Sequence, residues 1–291
     1  EGHERVTVGS GRITFVWLPE PNIQVEIKLN LFDTVRTKSV RFRLPGGADF
    51  FDINQPTYGF SPGYCTLRGT VSKFVAGNPD AVTKVVFHVP NFMAFSCGTG
   101  RHNQALVSLG DWRITLAPVE GFHDYDQFRL EQQKSHAITH IGQLEKAEHQ
   151  TFTVSEARDL LKSIGLWLSF CRGNWTLPLF PVGFNAGGEP VWKDWSRTHI
   201  SPSKPVTTWV PNHNLAFIEQ GFVAFHKLAS NPPWTNTLPL AIAWYVECNR
   251  RESGTEAAII LAQAGLELLS WTYLCKNNCR FCTALAAVAF H

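Results

Sequence analysis

The chain is poor in the features that usually announce a function. Only one of its 291 residues is methionine and only 17% are charged, with 26 basic residues against 24 acidic ones for a net charge of +2. Proteins that grip nucleic acid through its phosphates carry a strong basic excess, so that class has no general support here. The densest basic run, Arg36, Lys38, Arg41 and Arg43, alternates with apolar residues and reads as the solvent face of a strand. No G-x-S-x-G, Walker loop, dinucleotide fingerprint or H-E-x-x-H is present, and there is no internal repeat or low-complexity tract. The start, Glu1-Gly2-His3-Glu4-Arg5, has neither an apolar signal region nor an initiating Met, and reads as part of a longer chain.

Cysteine is sparse and odd in number. Of the seven, Cys65, Cys97, Cys171 and Cys248 stand alone among apolar residues. Disulfide scaffolds are shorter and denser in cysteine, so the expectation is buried thiols in a reducing, cytoplasmic compartment. Long apolar runs are also lacking. The most apolar stretch, Ala257 to Leu274, is interrupted by Gln263, Glu267 and Ser270. It falls short of the roughly 20 continuous apolar residues of a bilayer span and reads as a buried helix, with no membrane role.

What is present suffices for a packed core, since 44% of residues are hydrophobic. The low charged fraction, against about 25% in typical domains, implies that a second unit or a partner covers part of the surface. Through residue 116 the apolar residues keep a period of two. Ile23, Val25, Ile27 and Leu29 alternate with Gln24, Glu26, Lys28 and Asn30, and the pattern recurs at Ile13/Phe15/Trp17 and at Val40/Phe42/Leu44 before the turn Pro45-Gly46-Gly47. It returns at Cys65/Leu67, Val85/Phe87/Val89 and Trp112/Ile114/Leu116. Strands with one apolar face joined by Gly/Pro/Asn turns suggest an antiparallel, sandwich-like sheet.

The period changes near residue 153. Thr153-Val154-Ser155-Glu156 has capping-box form, and Ala157, Leu160, Leu161, Ile164, Leu168 and Cys171 follow on one helical face to the stop at Arg172-Gly173-Asn174. Asn185-Ala186-Gly187-Gly188 marks a hairpin, a helix from about Asn212 presents Leu215, Ile218, Phe222 and Phe225, and Asn231-Pro232-Pro233 stops it. A further helix covers about Pro239 to Asn249, and Ser253 to Glu256 is a second capping box opening the longest one. That last helix, apolar on most sides, reads as the centre of a bundle that is unfinished as given. The expected fold is α+β: a β-rich, sandwich-like unit over 1–150, then a mainly helical bundle over 151–291 with an inserted hairpin and loop region.

Several groupings invite chemistry. Cys275, Cys279 and Cys282 have the C-x3-C-x2-C spacing of radical SAM enzymes, but the motif follows a helix and only nine residues succeed it. A zinc site completed by His291 is the alternative, and a chance cluster is the reading adopted. His136 and His140, with His123, Asp124 and Asp126 nearby, read as surface residues on or beside a strand rather than a metal site. The loop Ser96 to His102, carrying Cys97 and Arg101, reads as a glycine turn. Ten tryptophans are many, and five (Trp175, Trp192, Trp195, Trp209, Trp234) fall between residues 175 and 234, where packing competes with a sugar- or ligand-binding platform. No catalytic, cofactor-binding or metal-binding residue is assigned.

Tyr245-Val-Glu-Cys-Asn249 and Ala262-Gln-Ala-Gly-Leu-Glu-Leu-Leu269 resemble the opening helices of bacterial HEPN-type domains, as in ApeA-like abortive-infection proteins. That resemblance implies a phage-defence setting and, in its catalytic members, RNA cleavage by an R-x4–6-H motif. Arg129 and His136 fit the spacing but lie outside the helical unit, so no catalytic residue is carried over. Ala137-Ile-Thr-His-Ile-Gly142, with Leu166-Trp-Leu-Ser-Phe170 through Trp192, is similar to bacterial proteins of unknown function with a YopA-type central domain, which implies no activity. The reading is therefore a bacterial binding or sensing protein, with a protein partner or oligomer formed through the helical half. The alternatives are a ribonuclease lacking its catalytic helix and a carbohydrate- or small-ligand-binding module using residues 175–234.

Overall fold

The computed structural model describes residues 9–17, 21–30, 40–44, 49–78, 81–95, 104–206, 208, 210, 215–250 and 254–276, the side chains of residues 275 and 276 excepted. The Ser96–His102 loop, the turn at 45–47, Arg36, Lys38, Trp209, Asn212, Ser253, the three thiols of 275–282 and His291 lie outside that description.

The fold is α+β, with antiparallel sheets first and helices after. Strands β1 (Ser10–Val16), β2 (Asn22–Asn30), β3 (Val40–Arg43), β4 (Phe50–Ser61) and β5 (Tyr64–Val71) form one sheet in the order β1-β2-β5-β4-β3. Strands β6 (Val75–Gly77), β7 (Lys84–Pro90), β8 (Ala105–Leu109), β9 (Trp112–Pro118), β10 (Ile138–Lys146), β11 (Leu179–Phe184) and β12 (Pro190–Asp194) form a second, ordered β6-β12-β11-β7-β10-β9-β8. The helices are α1 (Asp124–Gln133), α2 (Val154–Arg172), α3 (Leu215–Ala229), the short α4 (Pro232–Thr235), α5 (Thr237–Arg250) and α6 (Gly254–Lys276). The 185–188 hairpin adds β11 and β12 to the larger sheet, so that sheet takes strands from both sides of residue 150.

Alternation decides which face each strand buries. Ile23 and Val25 of β2 pack with Phe51, Ile53, Leu67, Val71 and Phe74 in a first core, while their alternates face out. A stack closes this core: Phe51 on Phe74 at 4.1 Å, and Phe74 on Trp195 at 5.2 Å. The second core lies between the larger sheet and α2, α3 and α5, and gathers Phe87, Leu144, Leu160, Leu168, Ile218, Phe222 and Val246. Gly142 faces the Phe87 ring so closely that a Cβ would sit 2.1 Å from its Cζ.

The α2 helix opens and closes as its ends require. Thr153 Oγ1 accepts from Glu156 N at 3.3 Å, the Glu156 carboxylate accepts from Thr153 N at 2.8 Å, and Gly173 takes φ 76° at the C-terminus. Inside that end, the Arg172 side chain is 3% exposed. It donates to Asn91 O at 3.2 Å, to Glu131 Oε1 of α1 at 2.5 Å and to Lys204 O at 3.2 Å. Burial lowers the guanidinium pKa while Glu131 raises it.

The sequence reading is corrected most at α6. Burial was expected; instead α6 packs one face on α5 and presents the other, with Ile259, Ile260, Leu266, Trp271, Tyr273 and Leu274 all more than half exposed. Residues 254–274 have the length and composition of a membrane-crossing helix, a test that core helices of soluble proteins also pass.

Two substitutions test these contacts. Arg172→Ala removes the buried guanidinium shared by Glu131, Asn91 O and Lys204 O, while the Gln127 amide still donates to Glu131. It should cost about 3–5 kcal/mol in urea unfolding, with a loss below ~1 kcal/mol contradicting the account of a buried, bonded charge. Gly142→Ala should cost roughly 1–3 kcal/mol by overpacking, and Phe87→Leu in the same chain should recover part of it.

Candidate interaction surfaces

The groupings singled out in the sequence come apart in the fold. His140 is buried among the rings of Phe92, Phe95 and Phe122 at 5.5, 4.9 and 5.8 Å. Thr139 Oγ1 donates to Val89 O, so the contact of 3.0 Å from His140 Nδ1 places the ring proton on Nδ1 and leaves Nε2 an unpaired acceptor. Burial pulls its pKa down to about 3. The surface reading of His140 is thereby overturned. His136 is half-buried and stacks on Trp17 at 5.4 Å, where burial again lowers its pKa. Arg129 lies over the Tyr125 ring of α1, so Arg129 and His136 engage different neighbours. Asp126 caps α1 by accepting from His123 N at 3.0 Å. Among the described residues no three His, Cys, Asp or Glu side chains gather as a metal set.

The tryptophans pack. Trp192 is 1% exposed and Trp234 is buried, while Trp175 and Trp195 are half-buried against the cores. Trp167 is buried and donates its Nε1–H to Ile218 O at 3.2 Å. The ligand-platform reading of residues 175–234 therefore finds no exposed indole among the described residues there. The apolar gap between sheet and helices, lined by Phe87, Trp167 and Phe222, measures about 30 Å³, room for a water or two but not for a ligand.

Two surfaces remain open. The first is the outer face of the five-stranded sheet, where register aligns Arg12, Glu26, Arg68 and Thr57 across four strands and Thr14, Gln24 and Thr70 beside them. A bulge between Asn54 and Thr57, with Gln55 at φ 49°, keeps Thr57 on this face. The concavity measures about 440 Å³. Guanidinium and hydroxyl donors suit an anion, but Glu26 already sits 2.8 Å from Arg68, an ordinary cross-strand pair on a solvent face.

The second is α6. Small residues bring it against α5: Gly265 is buried and a Cβ there would meet Trp244 at 3.9 Å, Thr237 and Thr272 share a buried hydroxyl contact of 3.1 Å, and Cys248 Sγ donates to Ala258 O at 3.1 Å. These contacts pair the start of each helix with the end of the other, an antiparallel hairpin. Facing away from α5 is a narrow polar stripe of Glu256, Gln263, Glu267 and Ser270, with Gln263 donating to Glu267 at 2.9 Å. Apolar residues flank the stripe on both sides. Ile259, Leu266 and Tyr273 recur every seven residues on one flank, and Ile260 and Trp271 lie on the other. With Leu274, these side chains are all more than half exposed, in two apolar strips divided by the polar stripe.

Comparison with known proteins follows this architecture. Residues 77–206 match the YopA central domain, spanning the larger sheet, α1 and α2, and residues 231–283 match the YopA C-terminal domain, which includes α4, α5 and α6. The chain is 26% identical over 165 residues to the SPbeta prophage-derived uncharacterized protein YopA of Bacillus subtilis (strain 168). That alignment covers 56% of this chain but only 37% of the relative's length. The chain is thus YopA-like, and the five-stranded sheet lies outside both matched segments. Both family models are YopA domains and neither is of the HEPN type. No solved structure matches significantly.

Of the residues that carried the YopA resemblance, Ile141 faces solvent, whereas Thr139, His140 and Gly142 on β10 and Trp167 and Ser169 on α2 are packing residues. They predict an acid response. Unfolded His140 takes a proton from pH 6.5 downward and the folded ring only near 3, so stability falls as pH drops through that window. Glu156 adds a loss from about pH 4.5 toward 2, because hydrogen bonds from Lys146 and then Thr153 hold its carboxyl at about 2. His140→Phe should shrink the difference in melting temperature between pH 7 and pH 4; an unchanged difference would assign the slope to other groups.

Proposed function

We propose that this YopA-like chain is a non-catalytic binding protein whose helical end is a docking arm for another protein surface. Residues 9–206 serve as the frame, and α3 to α6 carry the arm. One observation carries the reading: α6 is apolar over most of its circumference, yet among the described residues its cover comes from the side of α4 and α5. Exposed large apolar side chains gathered on one element are characteristic of interaction sites.

The chemistry of the exposed arc supports a protein surface in water over lipid. Glu256, Gln263 and Glu267 sit in the middle of it, and carboxylates there oppose burial in hydrocarbon. The prophage origin of the Bacillus subtilis relative supports a bacterial or phage source. Nothing in the geometry favours RNA cleavage.

The double substitution Ile259→Ser with Leu266→Ser tests the docking arm. Stability in urea should stay within about 0.5 kcal/mol, as for surface positions, while binding of a hydrophobic fluorescent dye falls sharply. A stability loss above ~2 kcal/mol would mark the two residues as core and end the proposal.

A further inference from the structure

The outer face of the five-stranded sheet carries charge that the overall balance of +2 conceals. By register, Arg12 of β1, Lys28 of β2, Arg41 and Arg43 of β3 and Arg68 of β5 share this side, against the carboxylates of Glu26 and Asp52. Among the described residues, Arg12, Lys28 and Arg43 form no ion pair. Two open rings interrupt the polar face. Phe50, 57% exposed, lies under Arg41 and Arg43, whose guanidinium carbons stand 5.6 and 5.4 Å from its centroid. Tyr64, 39% exposed, lies under Lys28 Nζ at 5.4 Å. Cations spread over a sheet with open aromatic rings among them suit a free nucleic-acid strand, whose phosphates meet the cations while its unpaired bases stack on the rings. We infer that this face binds single-stranded nucleic acid, a role independent of the α6 docking arm.

The layout of the face favours that occupant. Phe50 begins β4 opposite Arg43, whereas Tyr64 pairs with Ser61 at the other end of β4. Over the twelve residues of that strand the rings stand roughly 30–35 Å apart, a path that several nucleotides fill. Between them along the strands lies the concavity of about 440 Å³, lined by Thr14, Gln24 and Thr70 beside Arg12 and Arg68. Glu26 sits between Arg12 and Arg68 in one row and holds Arg68 at 2.8 Å. Exposed pairs of this kind are weak, so an incoming phosphate takes over the guanidiniums and leaves Glu26 as the repulsive group of the row. Other occupants fit less well. A duplex keeps its base faces inside its own stack, the core of a protein interface is depleted in charge, and a neutral glycan has no use for five cations.

Anisotropy titrations of the 291-residue chain with a labelled oligothymidylate of about 12 nucleotides test this, at about 50 and 200 mM salt. Binding is expected at the lower salt and should fall at least about tenfold at the higher. Arg12→Ala should weaken it and reduce the salt slope by about 0.7, the value of one phosphate contact on a single strand. Tyr64→Ser should weaken it at least about fivefold and leave the slope unchanged, because stacking is lost and charge is not. Glu26→Gln should tighten it, a gain that no misfolded chain can produce. The same titration with oligouridylate names the source: binding of either strand supports the face, and the tighter of the two assigns it to DNA or RNA. No binding of either strand at the lower salt, equal affinity for a duplex, or no gain in Glu26→Gln overturns the proposal. A strand affinity indifferent to Tyr64→Ser and matched by heparin marks a plain polyanion surface and overturns it as well.

Discussion

The buried Arg172 guanidinium holds the halves of the molecule together. Its contacts reach the end of β7 through Asn91, α1 through Glu131, and the segment beyond β12 through Lys204. Each of those partners is tied onward. Asn91, at φ 54°, donates its amide to Ser201 O and accepts from Ala137 N, and Lys204 Nζ donates to Arg250 O at the end of α5. A charge taken from water must be met on every side, so these four segments are fixed relative to one another by one side chain. The surfaces that face outward, including the α5–α6 hairpin, are aimed by a frame whose alignment runs through this cluster.

Where one physical rule decided a segment, the fold was legible in the sequence. Alternation alone marks β2, and the Thr153/Glu156 capping box with the glycine at 173 bounds α2 to within a residue. Where rules compete, legibility fails. Strand β4 contains Pro56 and a bulge, which break the alternation that would reveal its twelve residues. Helix α1 has no buried residue, hence no apolar stripe, and is held by Asp126 at its start and by the Arg172 pair near its end. Phe180 takes φ 52° where β11 shifts register, and its ring meets Phe15 of the other sheet at 4.6 Å. Nothing local signals a left-handed phenylalanine.

The candidate surfaces divide in the same way. Two of the groupings built from reactive or aromatic residue types resolve into packing: His140 is a neutral ring in an aromatic enclosure, and the described indoles between 175 and 234 fill space between layers. The informative signal was an imbalance between hydrophobicity and available cover. An all-round apolar helix was read as interior, and the reading misplaced it because pattern reports how much cover a helix needs, not whether its own chain supplies it.

The seven-stranded sheet ends in two quite different ways. At one edge β6 is three residues long. At the other, β8 meets α3, and Leu106 N donates to the Glu219 carboxylate at 2.7 Å. That carboxylate occupies a donor that would otherwise invite a foreign strand. Both margins thus offer an added strand less than a bare edge would: one is short, and the other has a donor already taken. Displacing α3 would unlock a template for strand addition, which makes the docking of that helix a safeguard against fibrillar association as well as part of the core.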